Sequence, residues 1–400
     1  MKILYLGKIC DNELYKIREN KQQPYFVAQF MFEKALYDEL KKHNNISVEG
    51  ISIYQTEYFP NDNFIFRRKK SKLEGFKYLT FINVPYLREL SYFISTCFNI
   101  IVWSFKARGK EGKCIYSSCH FPPVSLAVVM MSKLLSIKKI ITFTDLSLFT
   151  YSEDKIKKMK KYKKILIKPY VSLVNKLQQS YDAYILFSEG MNDIVNPLSK
   201  PYLVMEGIFN GDNLNLTQLK EKSNAIAHAG TLNREVGIDK LLDVFSLVED
   251  QSIELWLFGK GDMVEEIIER AKSDKRIKYY GFIPRNDVFE KLKEAKLLIN
   301  LRDPKDKYTK YSFPSKMFEY MVSGTPVLTT ILDGIPDEYN NYVYTAGCYN
   351  NEEIASKIIE IFNFEDKLRE ELGKKAREFI LNNKNSAEQV KLITKFLFQL

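Results

Sequence analysis

The stretch Tyr311-Ser-Phe-Pro-Ser-Lys-Met-Phe-Glu-Tyr-Met-Val-Ser-Gly-Thr-Pro-Val-Leu-Thr-Thr330 decides how this chain is read. Pro314 suits the first turn of a helix, where its missing N–H removes no hydrogen bond, and Ser312 is placed to cap that helix. Gly324 can close it in a left-handed conformation, and Pro326 prevents it from resuming. A helix over 314–323 and a short buried strand over 327–330 are therefore predicted. Free N–H groups at a helix start attract phosphate. Glu319 lies just over a turn in, where a carboxylate can accept hydrogen bonds from both hydroxyls of a ribose. The segment predicts a nucleotide-diphosphate pocket.

Outward from it, strand-like and helix-like runs alternate, the pattern of parallel sheets with crossover helices. Upstream strands are predicted over 3–6, 47–53, 113–117, 139–143 and 183–187, with helices over 29–41, 87–105 and 125–135. In the second half strands are predicted over 225–229, 253–258, 277–280 and 297–301. The helices between them fall over 238–248, 263–273 and 287–294. At 400 residues the chain is long for one domain, and two α/β domains of roughly 200 residues each are expected. The polar, Asn-rich run near 206–216 marks the linker, giving domains over 1–205 and 206–384.

Five cysteines (10, 97, 114, 119 and 348) without metal-type spacing, and three histidines, argue against a zinc site and for a reducing cytosol. Met1–Gly7 reads as a core strand and not as a signal peptide. The longest apolar stretch, 90–105, is broken by Ser95, Thr96 and Asn99. It falls short of the about 20 residues that cross a bilayer, so it reads as a buried or interfacial helix.

Charge is divided unevenly. Residues 1–200 hold 32 Lys and Arg against 18 Asp and Glu, whereas residues 201–400 hold 28 against 32. Lys155 to Lys168 alone contains eight lysines. Ile156, Met159, Tyr162, Ile165 and Leu166 recur among them at helical spacing. Such a basic amphipathic helix either lies on an anionic membrane or packs by its apolar stripe with a solvated lysine face. Nucleic-acid binding is disfavoured, because no recognisable module is present and the aromatics are not interleaved with the lysines.

Candidate site residues follow from strand ends. Gly230 ends a strand and allows close approach of backbone to a ligand. Arg302, after the apolar run 297–301, and Lys316 and Arg234 are candidates to neutralise a diphosphate. Gly259 and Gly261 make either a plain turn or a ligand contact. Asp145 is the only carboxylate between Glu111 and Glu153 and stands at a strand end. It could bind a sugar hydroxyl or assist proton transfer, or simply cap a turn. His120 occupies another strand-end loop, as an acceptor contact or as a structural imidazole.

The segment 311–330 closely resembles the donor-nucleotide motif of GT-B glycosyltransferases, particularly family 4-like enzymes of bacterial capsular and exopolysaccharide synthesis. Other pieces match in order: 228–232, 257–262, 280–285, 300–302, 334–339 and, upstream, 200–207. The resemblance implies a GT-B fold of two Rossmann-like doubly wound domains facing a central cleft, with a last helix (about 385–400) returning to the first domain. It places Phe282, Ile283 and Arg285 by the nucleobase, and Pro314 and Ser315 with Lys316 and Glu319 around the donor. Asp145, Arg302, Lys316 and Glu319 form the implied catalytic set. Thr144 stands where the family often has a His. Tyr311 replaces a second Glu, so the donor hexose contact falls to the backbone of Ser312 and Phe313. Val236 replaces a common Lys, and Lys8-Ile-Cys-Asp-Asn12 replaces a glycine-rich loop.

The expected activity is transfer of a sugar from a UDP-linked donor to a hydroxyl of a lipid-linked saccharide, with retained anomeric configuration. The enzyme would sit in the cytoplasm, peripheral at the inner membrane face. No cofactor is expected, and no metal, since the chain lacks Asp-x-Asp. Two other readings share these features. A sugar-nucleotide epimerase would release no nucleotide, and an inactive sugar-nucleotide- or membrane-binding subunit would bind donor without turnover.

Overall fold

The computed structural model describes residues 1–10, 24–53, 56–67, 76–107, 109, 112–118, 120–146, 161–211, 214–216, 220–347 and 350–400, with backbone only over 24–28 and 161–166. The chain forms two compact units, one of Met1–Ile208 with Gln389–Leu400 and one of Phe209–Glu388.

The first unit is built on β1 (Lys2–Gly7), β2 (Ser47–Ser52), β4 (Phe76–Tyr78), β6 (Lys113–Ser117), β7 (Lys138–Phe143), β8 (Ala183–Leu186) and β9 (Tyr202–Val204). They form one sheet in the order β4-β2-β1-β6-β7-β8-β9, parallel throughout, while β3 (Ile65–Phe66) and β5 (Phe81–Ile82) make a small antiparallel ribbon. Ile3 to Leu6 are all buried, as expected of a central parallel strand covered on both faces. Among the described residues five helices accompany the sheet: α1 (Pro24–Lys42), α2 (Leu87–Lys106), α3 (Pro122–Leu135), α4 (Lys161–Gln178) and α5 (Gly190–Val195). One core packs α1 and the sheet around Tyr5, whose ring lies 5.4 Å from Tyr37 and 5.5 Å from Tyr116. Val390, Ile393 and Leu397 of the last helix, α12 (Ser386–Gln399), complete this core.

The second unit contains β10 (Ser223–Thr231), β11 (Glu254–Lys260), β12 (Ile277–Gly281), β13 (Ala295–Asn300), β14 (Val327–Thr330) and β15 (Tyr344–Ala346). Their order is β12-β11-β10-β13-β14-β15, again parallel. Between them run α6 (Ile238–Ser246), α7 (Val264–Ser273), α8 (Arg285–Glu294) and α9 (Lys316–Val322), followed by α10 (Asn351–Asn363) and α11 (Asp366–Asn383). Two apolar cores, one on each face, make the sheet doubly wound. In each unit the strand order reverses beside its first strand, and ligands of open α/β sheets bind at the carboxyl ends there. Those switch points lie between β1 and β6 and between β10 and β13.

The helix predicted over 314–323 is shorter, and Ser312 does not cap it. Helix α9 starts at Lys316, and Ser312 is extended at φ −147°. The cause is packing. Phe313 is buried with its ring 5.2 Å from Tyr339, and a Cβ on Gly334 would lie 2.5 Å from the Ser312 carbonyl oxygen. Pro314 and Ser315 instead form a turn that enters the helix, with Met317 N–H donating to the Pro314 carbonyl at 2.8 Å. Gly324 closes the helix at φ +77°, the left-handed conformation its type allows. Of the basic helix predicted over 155–168, residues 155–160 lie outside the described residues, and α4 begins at Lys161.

Candidate active site

In the second unit the polar groups gather where β10 ends. Gly230, at φ +146°, brings the chain beneath the Lys316 stem; a Cβ there would lie 3.6 Å from Lys316 Cγ. Lys316 Nζ donates to Glu319 Oε2 at 2.9 Å, and Arg285 Nε donates to Oε1 at 2.8 Å. Glu319 is thus a largely buried carboxylate clamped between two cations. Burial pushes its carboxyl up, but Lys316 and Arg285 outweigh that and hold it below the usual carboxylate range.

The next residue locks this cluster to the sheet. Tyr320 is fully buried; its hydroxyl accepts from Ala229 N–H at 2.7 Å and donates to the Ala229 carbonyl at 3.0 Å. His228 lies beneath, with Nδ1 3.1 Å from the Ile299 carbonyl oxygen. Burial, with the nearby charges of Arg302 and Lys316, lowers its pKa to about 4, so its imidazole is neutral near pH 7. Arg302 follows β13, and its carbonyl accepts from Thr330 Oγ1 at 2.7 Å. Arg302, Lys316, Arg285 and Glu319 therefore share the switch point of the second sheet.

Not every expected residue joins them. Arg234 is 65% exposed and pairs with Asp239 at 3.2 Å and Glu266 at 3.5 Å. Gly261 answers to chain packing, since a Cβ there would lie 2.0 Å from the Leu232 carbonyl oxygen. Gly259 does likewise against Gly230, its register partner. Phe282 is exposed, with Lys260 Nζ 4.5 Å above its ring, while Ile283 packs onto the core. The Phe313 side chain belongs to the core, Ser312 and Ser315 flank buried Pro314, and Tyr311 ends the preceding 3-10 turn.

In the first unit His120, Thr144 and Asp145 follow the adjacent strands β6 and β7. The His120 ring centroid lies 6.0 Å from that of Phe143, and its Nδ1 is 3.1 Å from Ser125 Oγ. Burial lowers its pKa to about 4. Its Nε2 is buried and has no hydrogen-bond partner among the described residues. Asp145 is exposed at the end of the strand.

Sequence reading missed Glu33. It is fully buried on α1 and reaches the switch point of the first sheet, where its carboxylate accepts from Lys8 N–H, and from Gln29 Nε2 at 2.8 Å, and meets Ser118. Burial dominates over these partners and raises its pKa to about 7. The available signal was an acid at helical spacing within the apolar face Phe30, Leu36, Tyr37 and Leu40. The Arg285–Glu319 pair was also unreadable, because 34 residues separate its members.

Comparison with known proteins agrees with this architecture. Residues 213–379 match the family model of Glycosyl transferases group 1. A search of curated proteins returns no match. Among solved structures, Anabaena HepE in complex with UDP superposes with a TM-score of 0.64 at 13% identity, covering 100% of both chains. Sucrose-phosphate synthase from Thermosynechococcus elongatus gives 0.61 at 14%, covering 100% of this chain and 99% of that one. The lipopolysaccharide outer core galactosyltransferase WaaB, in its apo form, gives 0.60 at 12% over 100% and 99%. These likenesses establish the fold as GT-B. Among the described residues no helix is long and apolar enough to cross a membrane.

Proposed function

We propose that this GT-B glycosyltransferase moves a sugar from a UDP-linked donor to a hydroxyl of a lipid-linked saccharide in cell-surface polysaccharide synthesis of the capsular or exopolysaccharide type. The observation that carries the reading is the Glu319 cluster. One carboxylate and three cations converge at a sheet switch point, inside a segment that matches group 1 glycosyltransferases. Glu319 is assigned to the ribose hydroxyls. Lys316 and Arg302 take the diphosphate, whose negative charge grows as the glycosidic bond breaks. Charge stabilisation by side chains leaves the proposed reaction independent of metal and cofactor. That HepE was solved with UDP supports the choice of base.

Retention of configuration is part of the proposal. The departing phosphate then draws the proton from the incoming hydroxyl on the same face. His120, Thr144 and Asp145 are assigned to the acceptor. His120, neutral and half-buried beside the end of β7, is assigned to packing against the acceptor, and exposed Asp145 is suited to a sugar hydroxyl. The basic first half supports work in the cytoplasm at the inner membrane face.

A thermal-shift panel of nucleotide sugars tests the donor assignment. A ligand bound only by the folded state raises the midpoint, by an amount that grows with its concentration over Kd. UDP-sugars should shift the midpoint, and GDP- and ADP-sugars should shift it less. A flat panel would end the reading.

A further inference from the structure

Helix α2 is apolar on its outer side as well as on its packed side. Its packed side buries Tyr92, Ile100 and Trp103 together with Thr96 and Asn99, and Asn99 Nδ2 donates to the Ser95 carbonyl at 2.7 Å. Its outer side carries Leu90, Ile94, Phe98 and Phe105, each 54–58% exposed and spaced along one face. Single exposed apolar residues are ordinary, but a contiguous row marks an interaction site. Helix α3 packs beside α2 and adds Met130 and Leu134, and α4, beside α3, adds Tyr170 and Leu173.

Charge identifies the occupant. Glu89 is the only acidic residue on these three helices, whereas Lys106, Lys133, Lys168 and Lys176 are exposed on them. A second copy docked through a two-fold axis would set two lysine-bearing, acid-poor faces against each other, and like charges across an interface oppose association. A surface of anionic lipid accepts both features, with apolar side chains at the acyl boundary and lysines among the phosphates. None of the helices among the described residues is long and apolar enough to span the bilayer.

We propose that the face formed by α2, α3 and α4 lies on an anionic bilayer, with the row Leu90, Ile94, Phe98 and Phe105 inserted among the headgroups. The proposal rests on the reading of a membrane-bound acceptor, and it specifies the surface without drawing on residues 147–160.

Co-sedimentation of the full chain with vesicles tests it. Phosphatidylcholine vesicles containing phosphatidylglycerol should bind the protein, and phosphatidylcholine alone should bind it far less. The double substitution Ile94→Ser with Phe98→Ser should cut binding at least tenfold and leave the thermal midpoint unchanged or higher. Lys106→Gln with Lys133→Gln should weaken binding severalfold at low salt. Undiminished binding of the Ile94/Phe98 variant would overturn the proposal. A dimer detected by light scattering and dissolved by the same pair of changes would also overturn it, placing a second copy on the face. Donor binding without vesicles keeps the two readings apart. Failure of wild-type protein to respond to UDP-sugars would count against the transfer reading and leave the vesicle result standing.

Discussion

Glu319 holds Lys316, which the proposed diphosphate also needs, together with Arg285, and this makes its substitution informative. Glu319→Gln keeps the shape of the side chain but removes the charge that draws in Lys316 and Arg285. Nucleotide-sugar binding should weaken by about 1.5–3 kcal/mol, the scale of hydrogen bonds to a charged group. Calorimetry with a 2′-deoxy donor separates the causes. If the carboxylate grips the ribose diol, wild type and variant should bind that donor with more similar affinities. Arg302→Ala and Lys316→Ala should behave differently from Glu319→Gln. Their attraction to the diphosphate increases toward the transition state, so each should lower turnover about a hundredfold at saturating donor, with smaller changes in affinity. Arg234→Ala should do less, because that side chain is exposed and already paired with Asp239 and Glu266.

At the scale of elements, α1 and the loop after β1 are joined by Glu33. The folded carboxyl titrates near 7, against an ordinary value of 4.5 when exposed. The folded state therefore binds this proton more tightly, and stability falls as pH rises from about 4.5 to about 7. The loss through this group is on the order of 3 kcal/mol. Glu33→Gln should remove it, so the stability of the variant relative to wild type should climb across that window and level off above it. Urea melts at pH 5 and pH 8 read the difference directly. His120 and His228 act in the opposite sense, since their lowered pKa values cost stability as pH falls from 6.5 toward 4. Both occur in wild type and variant, so the comparison cancels them.

The same scale explains what could be read in advance. Strands β1, β6 and β7 are buried over most of their length, as central parallel strands are, and the predicted spans lie within a residue of their observed bounds. Strands β4, β9 and β15 escaped notice, being three residues long at or next to a sheet edge, where alternation has no room to appear. The start of α9 was misplaced because a buried Phe313, and not local capping chemistry, fixes where the helix begins. Residues of the candidate site were legible where they fell in one contiguous motif, as Lys316 and Glu319 do. Glu33 and Arg285 act through contacts made by the fold, which spacing along the chain does not encode.

For the whole molecule, the uneven charge has a measurable consequence. With all excess positive charge in residues 1–200, attraction to anionic vesicles should decline steeply between about 0.05 and about 0.5 M salt, as the screening length shortens. Replacing Lys157, Lys158, Lys160 and Lys161 by Gln should lower what remains at low salt. Binding that ignores salt would mean that the lysines are merely solvated and that apolar contacts dominate.

The chain leaves the first unit after Ile208 and re-enters it at Gln389. The second unit, the proposed donor side, is therefore an insertion within the first and not a tail appended to it. Exchanging donor specificity with a relative thus requires two junctions, near 208 and 389, because a graft with one junction would replace the α12 residues Val390, Ile393 and Leu397 that fill the recipient's core. Protease nicking near 208 alone should therefore give two bands on a denaturing gel yet a single species on native gel filtration, because α12 stays packed in the first unit's core while covalently attached to the second unit.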